Sequence, residues 1–454
     1  MKDVLTFMLS VWGATGSALL IILALYRSED KPNMLSFLGQ FDGKLLIAGV
    51  IILLCSSTVA TRYWLSLRRN GKRPLRMILI WNVLPLILTS MIFETTLRLL
   101  ASETPKGTML WGKPLAPRSL ELFGDSSQVN RILSYDQTLG WIVRPNLRTS
   151  DGLYFTSAEG LRISNTGGRF NVGDTCRIAL VGDSHTFGKE LKVENTWGYL
   201  LQSHMPECQV LNFGVPGYSV GQMYLRYLRD VLPLRPDIVI FALSSDSAGR
   251  TMSVYGLNTM FSDGVPWAQP RFLLTTDGLE PINQPLPRLE EIVQTKWISN
   301  LPYIDYDWRF SPGKWELQRW RYLYNSYLFR LYTTQFPLWR VQKKGDSVEI
   351  LNHALLRAFT QAVESHHSTP LVLYLPDKTD DKDMKNETPS LKILRSSGID
   401  HLDLRPCLNQ VPDGDRFIPE GGHYSLRGSE RIAACIARRV SLLRKQVNAI
   451  KINR

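Results

Sequence analysis

Ser184 stands in VGDSHTFG, residues 181 to 188, directly after the apolar run RIALV at 177 to 181. A small Gly-Asp-Ser turn at the carboxyl end of a buried strand can present a serine hydroxyl at the edge of a sheet, with the amides of the following helix nearby. The turn is not a G-x-S-x-G elbow, because Thr186 sits where the second glycine would be. Asp and Ser also cap helices without doing chemistry, so the turn alone does not make a site. A serine hydroxyl is a poor nucleophile at neutral pH and needs an imidazole to take its proton and a carboxylate to orient that imidazole. Two further stretches offer groups of this kind. NFGVPGYSVGQ, residues 212 to 222, brings Gly214, whose amide a ligand can approach closely. PEGGHYSLRGSERIAACIA, residues 419 to 437, brings His423 just before the last helical pattern. His185, next to the serine, reads as a neighbouring side chain rather than as the base.

These pieces need elements to hold them. Short apolar runs at 177–181, 209–213, 237–243, 370–375 and 401–404 are rich in Val, Ile and Leu and bounded by Gly, Pro, Asp or Ser, which suits strands covered on both faces. Helix-length patterns fall at 194–204, 219–232, 347–366, 389–397 and 426–443. The alternation predicts an α/β fold with a parallel five-stranded sheet and helices on both sides, whose ligands bind at the carboxyl ends of the strands. The domain is expected over 171–445, with an insertion at about 250–345 that carries six of the chain's twelve Trp residues. That density suits the core of an inserted cap, or alternatively a sugar-binding cleft. Residues 313–333 read as a basic, aromatic helix that could rest on a bilayer surface, and DKTDDKDMKNE at 377–387 reads as a solvated loop.

The formal net charge of +12 suggests nucleic acid until it is divided along the chain, because residues 1–100 and the remainder contribute +6 each. Of the eleven basic residues in the first hundred, Arg62, Arg68, Arg69, Lys72, Arg73 and Arg76 share one short loop. That loop lies between uncharged runs at Leu45–Thr61 and Met77–Phe93, and a third run covers Val4–Tyr26. Helices of this length come close to or match the roughly 30 Å of a hydrocarbon core. The expectation is a membrane anchor over 1–100 with three transmembrane helices, at about 4–26, 45–61 and 77–97, and not a cleaved signal peptide. The basic loop keeps 62–76 in the cytoplasm and puts everything after about residue 100 outside. Glu94 and Arg98 are spaced to pair on one helix face.

With these motifs in order, the chain resembles the SGNH, or GDSL-type, hydrolase superfamily over residues 134–441. The lead-in segment at 101–170 contains LGWIVRPNL (139–147) and EGLR (159–162), which look like the lead-in of membrane-anchored bacterial members. The resemblance implies a three-layer, flavodoxin-like domain with Ser184 as nucleophile and His423 as base. It implies an oxyanion hole from the amides of Ser184 and Gly214 and a side chain of the third motif. Two positions depart from the family pattern. The acid, usually Asp two or three residues before the His, falls on Gly421 or Glu420, leaving Glu420 as the candidate in that slot. The family Asn falls on Asp246, with Ser247 after it and Ser245 one residue before. An ionised Asp246 cannot donate to an oxyanion, and loss of one such donor costs about 10² to 10³ in rate.

Cys55 lies in the second apolar run, leaving Cys176, Cys208, Cys407 and Cys435. Cys176 and Cys208 each precede a predicted strand at the same end of neighbouring strands, which makes their pairing reasonable and leaves Cys407 with Cys435. Three connectivities are possible, and buried free thiols are the alternative. An oxidising compartment such as a periplasm would permit both bonds. No Cys/His ligand spacing occurs, so neither a metal nor another cofactor is expected. The expected function is a serine esterase or O-acyltransferase in the bacterial inner membrane, with its large domain periplasmic or extracellular. It would act on an acylated, chiefly acetylated, cell-surface polysaccharide, beside other membrane proteins of polysaccharide modification and without nucleic acid. The alternatives are a catalytically silent scaffold of envelope polysaccharide assembly and a lipid esterase.

Overall fold

The structure is a computed structural model that describes residues 90–104, 107–111, 113–115, 132–164, 176–256, 267–295, 300–309, 318–335, 344–380, 387–419 and 421–452, with a few isolated residues before 90. The three apolar runs expected to span a membrane lie almost wholly outside the described residues. Among the described residues no helix is long and apolar enough to cross a membrane.

Five strands form one parallel sheet: β1 (Cys176–Gly182), β2 (Cys208–Asn212), β3 (Ile238–Ser244), β4 (Thr369–Leu375) and β5 (His401–Asp403), in the spatial order β2, β1, β3, β4, β5. All five coincide with the predicted apolar runs to within a residue or two. Side chains alternate across a strand, and both faces here are apolar. Ala179, Val181, Val239, Phe241 and Leu243 face one core, where they meet the helices α3 (Val220–Arg226) and α5 (Val348–Ser365). Ile178, Leu180, Ile238, Ile240 and Ala242 face the other, against Trp197 and Leu201 of α2 (Trp197–His204) and Ile432 and Ile436 of α7 (Leu426–Ile452). The remaining helices that matter for the site are α1 (Ser184–Phe187), α4 (Ser247–Arg250) and α6 (Pro389–Ser397). The result is the three-layer α/β arrangement expected.

Strand register decides where the loops emerge. Gly182 of β1 lies beside Ala242 of β3, Leu180 beside Asn212 of β2, and Leu375 of β4 beside Ser244. Residues 183, 213, 245 and 376 therefore leave the sheet at one edge. At the opposite end Cys176 and Cys208 are register partners joined as a disulfide, and Cys407 and Cys435 form a second disulfide between two helices.

The chain divides into two compact units. The larger, residues 125–295, 301–311 and 342–454, contains the sheet and most of the lead-in. There the antiparallel hairpin Leu133–Asp136 and Gly140–Val143 is fixed to the loop after β2: Trp141 Nε1 donates to Pro216 O (2.9 Å) and Tyr218 Oη to Trp141 O (2.6 Å). The smaller unit holds residues 1–124, 296–300 and 312–341. Within it Glu94 pairs with Arg98 (2.8 Å) and caps the helix Tyr327–Gln335 by accepting the N–H groups of Tyr327 and Leu328. Segments of the insertion fall in both units. Of the basic, aromatic helix that 313–333 could form, the described part, 318–333, is not one continuous helix. A 3-10 turn, Gln318–Asn325, precedes the α-helix, and Ser326 interrupts them by accepting from Phe329 N–H as a cap (3.2 Å). The cap satisfies a donor that a continuous helix would bond internally.

Candidate active site

β1 is buried to its end and turns at Gly182, where a Cβ would lie 2.0 Å from Thr186 Oγ1 and 3.0 Å from Ala242 O. Only glycine lets the chain turn this tightly, and Asp183 then caps α1 by accepting from His185 N–H (3.0 Å). This places half-buried Ser184 at the first position of a one-turn helix, where an N–H has no partner within the helix. Ser184 N–H donates to no acceptor among the described residues.

From the opposite end of the sequence, the 417–424 segment folds into a tight turn. Ile418 N–H bonds to His423 O (2.7 Å), Gly422 takes φ +80, and Tyr424 Oη donates to Pro376 O (2.6 Å). The turn points His423 at the nucleophile: Nε2 is 2.9 Å from Ser184 Oγ, in hydrogen-bond contact. On the other side of the ring, Nδ1 is 3.0 Å from Oε2 of Glu190, a residue that sequence reasoning had not singled out. The distance is that of an ion pair, with the carboxylate oxygen off the hydrogen-bond line. Glu420 lies outside the described residues.

The two other expected oxyanion donors are engaged elsewhere. Gly214 N–H donates to Asn212 Oδ1 (2.9 Å), and the Asn212 amide reaches Thr186 O (2.7 Å), so Gly214 serves close packing: a Cβ there would lie 2.4 Å from Phe187 N. The amide of that turn with no acceptor among the described residues is the one at Gly217, whose φ is +82. Asp246 accepts from Arg309 (2.6 Å), which fixes it as an acceptor and removes it as a donor. Nor do the neighbouring serines stand in: Ser245 donates to Asp377, while Ser244 and Ser247 donate to Asp183. The 377–387 run is therefore not a purely solvated loop. Asp377 takes the Ser245 hydroxyl, and buried Asp380 accepts from Tyr374 Oη (2.6 Å). The remainder of that run, 381–386, lies outside the described residues.

Behind the nucleophile sits a charged layer. Asp183 is 1% exposed and accepts from Arg250, Ser244 and Ser247. Burial alone would raise its pKa, but the Arg250 charge foremost, with His185 and these hydrogen bonds, holds the carboxyl below its usual range. Arg250 is fixed in turn by Tyr218 O (3.0 Å).

His185 is buried, with its ring centroid 4.9 Å from that of His423 and 5.2 Å from that of Tyr424. Burial, reinforced by His423 and opposed by Asp183, pushes its pKa from 6.5 down to about 4. The folded state therefore resists protonating this ring while the unfolded chain does not. Its contribution to stability is complete above about pH 6.5 and is lost as pH falls, reaching on the order of 3 kcal/mol by pH 4. Denaturant unfolding between pH 7.5 and 4 should show this loss, and His185→Phe should flatten the slope. An equal slope in the variant would contradict the assignment.

No family model matches the sequence, and no curated relative does. Among solved structures the chain is similar to a lipase/acylhydrolase from Enterococcus faecalis, at 14% identity and TM-score 0.31 over 59% of this chain and 95% of that one. It is similar to a member of the lipolytic protein G-D-S-L family from Veillonella parvula, at 10% identity and TM-score 0.31 over 57% of this chain and 95% of that one. An acetyl xylan esterase is matched at 14% identity and TM-score 0.31 over 58% of this chain and 99% of that one.

Proposed function

We propose that the chain is a serine ester hydrolase or O-acyltransferase, with Ser184 as the nucleophile and His423 as its base. The observation that carries this reading is the 2.9 Å contact between Ser184 Oγ and His423 Nε2, made by residues 239 positions apart at the carboxyl edge of a parallel sheet. His423 would take the Oγ proton as Oγ attacks the acyl carbon. The Ser184 amide, which has no acceptor among the described residues, would receive the developing oxyanion. The imidazolium would then return the proton to the leaving alkoxide, giving an acyl-serine and a free alcohol. Water or a sugar hydroxyl would release the acyl group by the same steps, so hydrolysis and transfer share this machinery.

The finer reading is a three-helix anchor in a bacterial inner membrane, the described α/β domain outside it, and an acetylated cell-surface glycan as substrate. The uncharged runs, the basic loop at 62–76 and the Trp-rich insertion support it. The Asp246–Arg309 pair favours a second reading, a catalytically silent scaffold, because it removes the side-chain oxyanion donor. One experiment separates the two. The full chain in detergent is treated with a fluorophosphonate and digested for mass spectrometry. A label on Ser184, absent from His423→Ala, is the expected result, and no label on the wild type would favour the scaffold. Turnover of acetyl against long-chain p-nitrophenyl esters then divides a glycan acetylesterase from a lipid esterase.

A further inference from the structure

We infer that Glu190, carried by the loop after the nucleophile, is the carboxylate that orients His423, and that Gly421 is glycine because Glu190 occupies the space its side chain would need. This rests on the Ser184–His423 reading above. Three independent observations support it. The first is partnership: Glu190 Oε2 and His423 Nδ1 are both buried, lie 3.0 Å apart, and neither has another partner among the described residues. The ring's two nitrogens thus face one hydroxyl and one carboxylate. The contact sits off the hydrogen-bond line, as such contacts often do before substrate binds and the ring becomes cationic.

The second is space. A Cβ on residue 421 would lie 1.7 Å from Glu190 Oε2 and 2.0 Å from Glu190 Cδ, so any side chain there would push the carboxylate away from His423. Residue 421 is two positions before His423, one of the two positions at which the resemblance places the acid, the other being Glu420. The charge is in that place, delivered from elsewhere.

The third is the construction of the loop. Glu190 has φ +72, a left-handed conformation that strains a residue with a Cβ and persists only where surroundings enforce it. The enforcement comes from the lead-in segment. Glu190 N–H donates to Tyr154 Oη (2.9 Å). The buried Arg162 guanidinium donates to the carbonyls of Phe187, Gly188 and Leu191, so it grips the loop on both sides of Glu190. It also lies 4.8 Å from the ring centroids of Tyr154 and Phe187. Burial pushes the Arg162 pKa down to about 10, still charged at neutral pH. The EGLR sequence at 159–162 thereby acquires a purpose: its arginine is the clamp of the acid-bearing loop.

The test uses the full chain in detergent and p-nitrophenyl acetate. Glu190→Gln, which keeps the shape and removes the charge, should lower kcat by about 10²- to 10⁴-fold, with KM within about threefold of wild type. The double variant E190A/G421D, which returns a carboxylate to residue 421 after vacating its space, should recover at least about tenfold over Glu190→Ala. A downfield Nδ1 proton resonance of His423, present in wild type, should vanish in Glu190→Gln. A kcat within about threefold of wild type in Glu190→Gln would overturn the inference, as would a loss of the expected size in Glu420→Gln alone. Absence of recovery in the double variant would overturn the role given to Gly421. If the wild type neither turns over esters nor takes a fluorophosphonate, the esterase reading fails. The proton resonance needs no turnover and still decides the Glu190 contact.

Discussion

Ser184→Ala is expected to lower kcat on an acetyl ester by at least about 10⁴-fold, and His423→Ala to do nearly the same. The two act as one device. The alcohol hydroxyl holds its proton until an acceptor lies within hydrogen-bond reach, and the 2.9 Å contact to Nε2 supplies that acceptor. Without the hydroxyl the imidazole has only water to activate, and without the imidazole the hydroxyl remains protonated. The double variant should therefore be scarcely slower than either single one, and a sum of the two logarithmic losses would show that they act separately. KM should move little, because neither group supplies most of the binding surface. The comparison is made by steady-state kinetics on purified full-length variants, with Ser184→Cys as a check that the site can still be acylated. Retention of more than about a tenth of the activity in Ser184→Ala would remove this serine from the chemistry.

The strands were legible because a parallel strand buried on both faces has to be apolar throughout, and β3, with all seven residues buried, is the clearest case. The Ser184–His423 contact was legible because Ser184 sits in a tight turn at the end of β1 and His423 in the turn before α7, both with short-range signatures. The acid was not. Glu190 lies in a loop, six residues after the serine, where a charged side chain normally faces solvent, and its contact with His423 spans 233 positions of chain. Of the two positions at which an acid was expected, 421 is a glycine and 420 is Glu420, which lies outside the described residues. Gly214 misled for a local reason that the sequence did contain. Asn212, two residues earlier, is a side chain that commonly takes the N–H of residue i+2, and it does so here. Arg250 was read only as the start of the insertion. Its pairing with Asp183, 67 residues away, depends on two strand ends meeting at the same edge of the sheet. The run at 377–387 was misjudged in the same way, because Asp377 and Asp380 leave β4 at the edge where Ser245 and Tyr374 can reach them.

Arg250→Met is expected to destabilise the domain by about 3–5 kcal/mol at pH 7, the usual cost of stripping a buried carboxylate of its counter-charge. Asp183 retains the hydroxyls of Ser244 and Ser247 and the N–H of His185, but these dipoles do not replace a full positive charge inside the fold. The effect should depend on pH in a definite direction. In the wild type the Asp183 pKa is held below that of the unfolded chain, so its stabilisation is complete above the unfolded carboxylate range and is lost as pH falls through the folded pKa. In the variant the main force opposing burial is gone and the pKa rises, so the side chain can be buried neutral once the medium is acid enough. The gap between wild type and Arg250→Met should therefore be widest near pH 7 and narrow toward pH 4. Adding Asp183→Asn to Arg250→Met should recover part of the loss at pH 7, since the stranded charge is then gone. Urea unfolding at pH 7, 5.5 and 4 for the four members of this cycle measures all three expectations, and a gap that is the same at every pH would show that Arg250 acts by packing alone. Because Asp183 directly precedes Ser184 and caps its helix, the same cycle read by kcat shows how far this buried pair fixes the nucleophile's position.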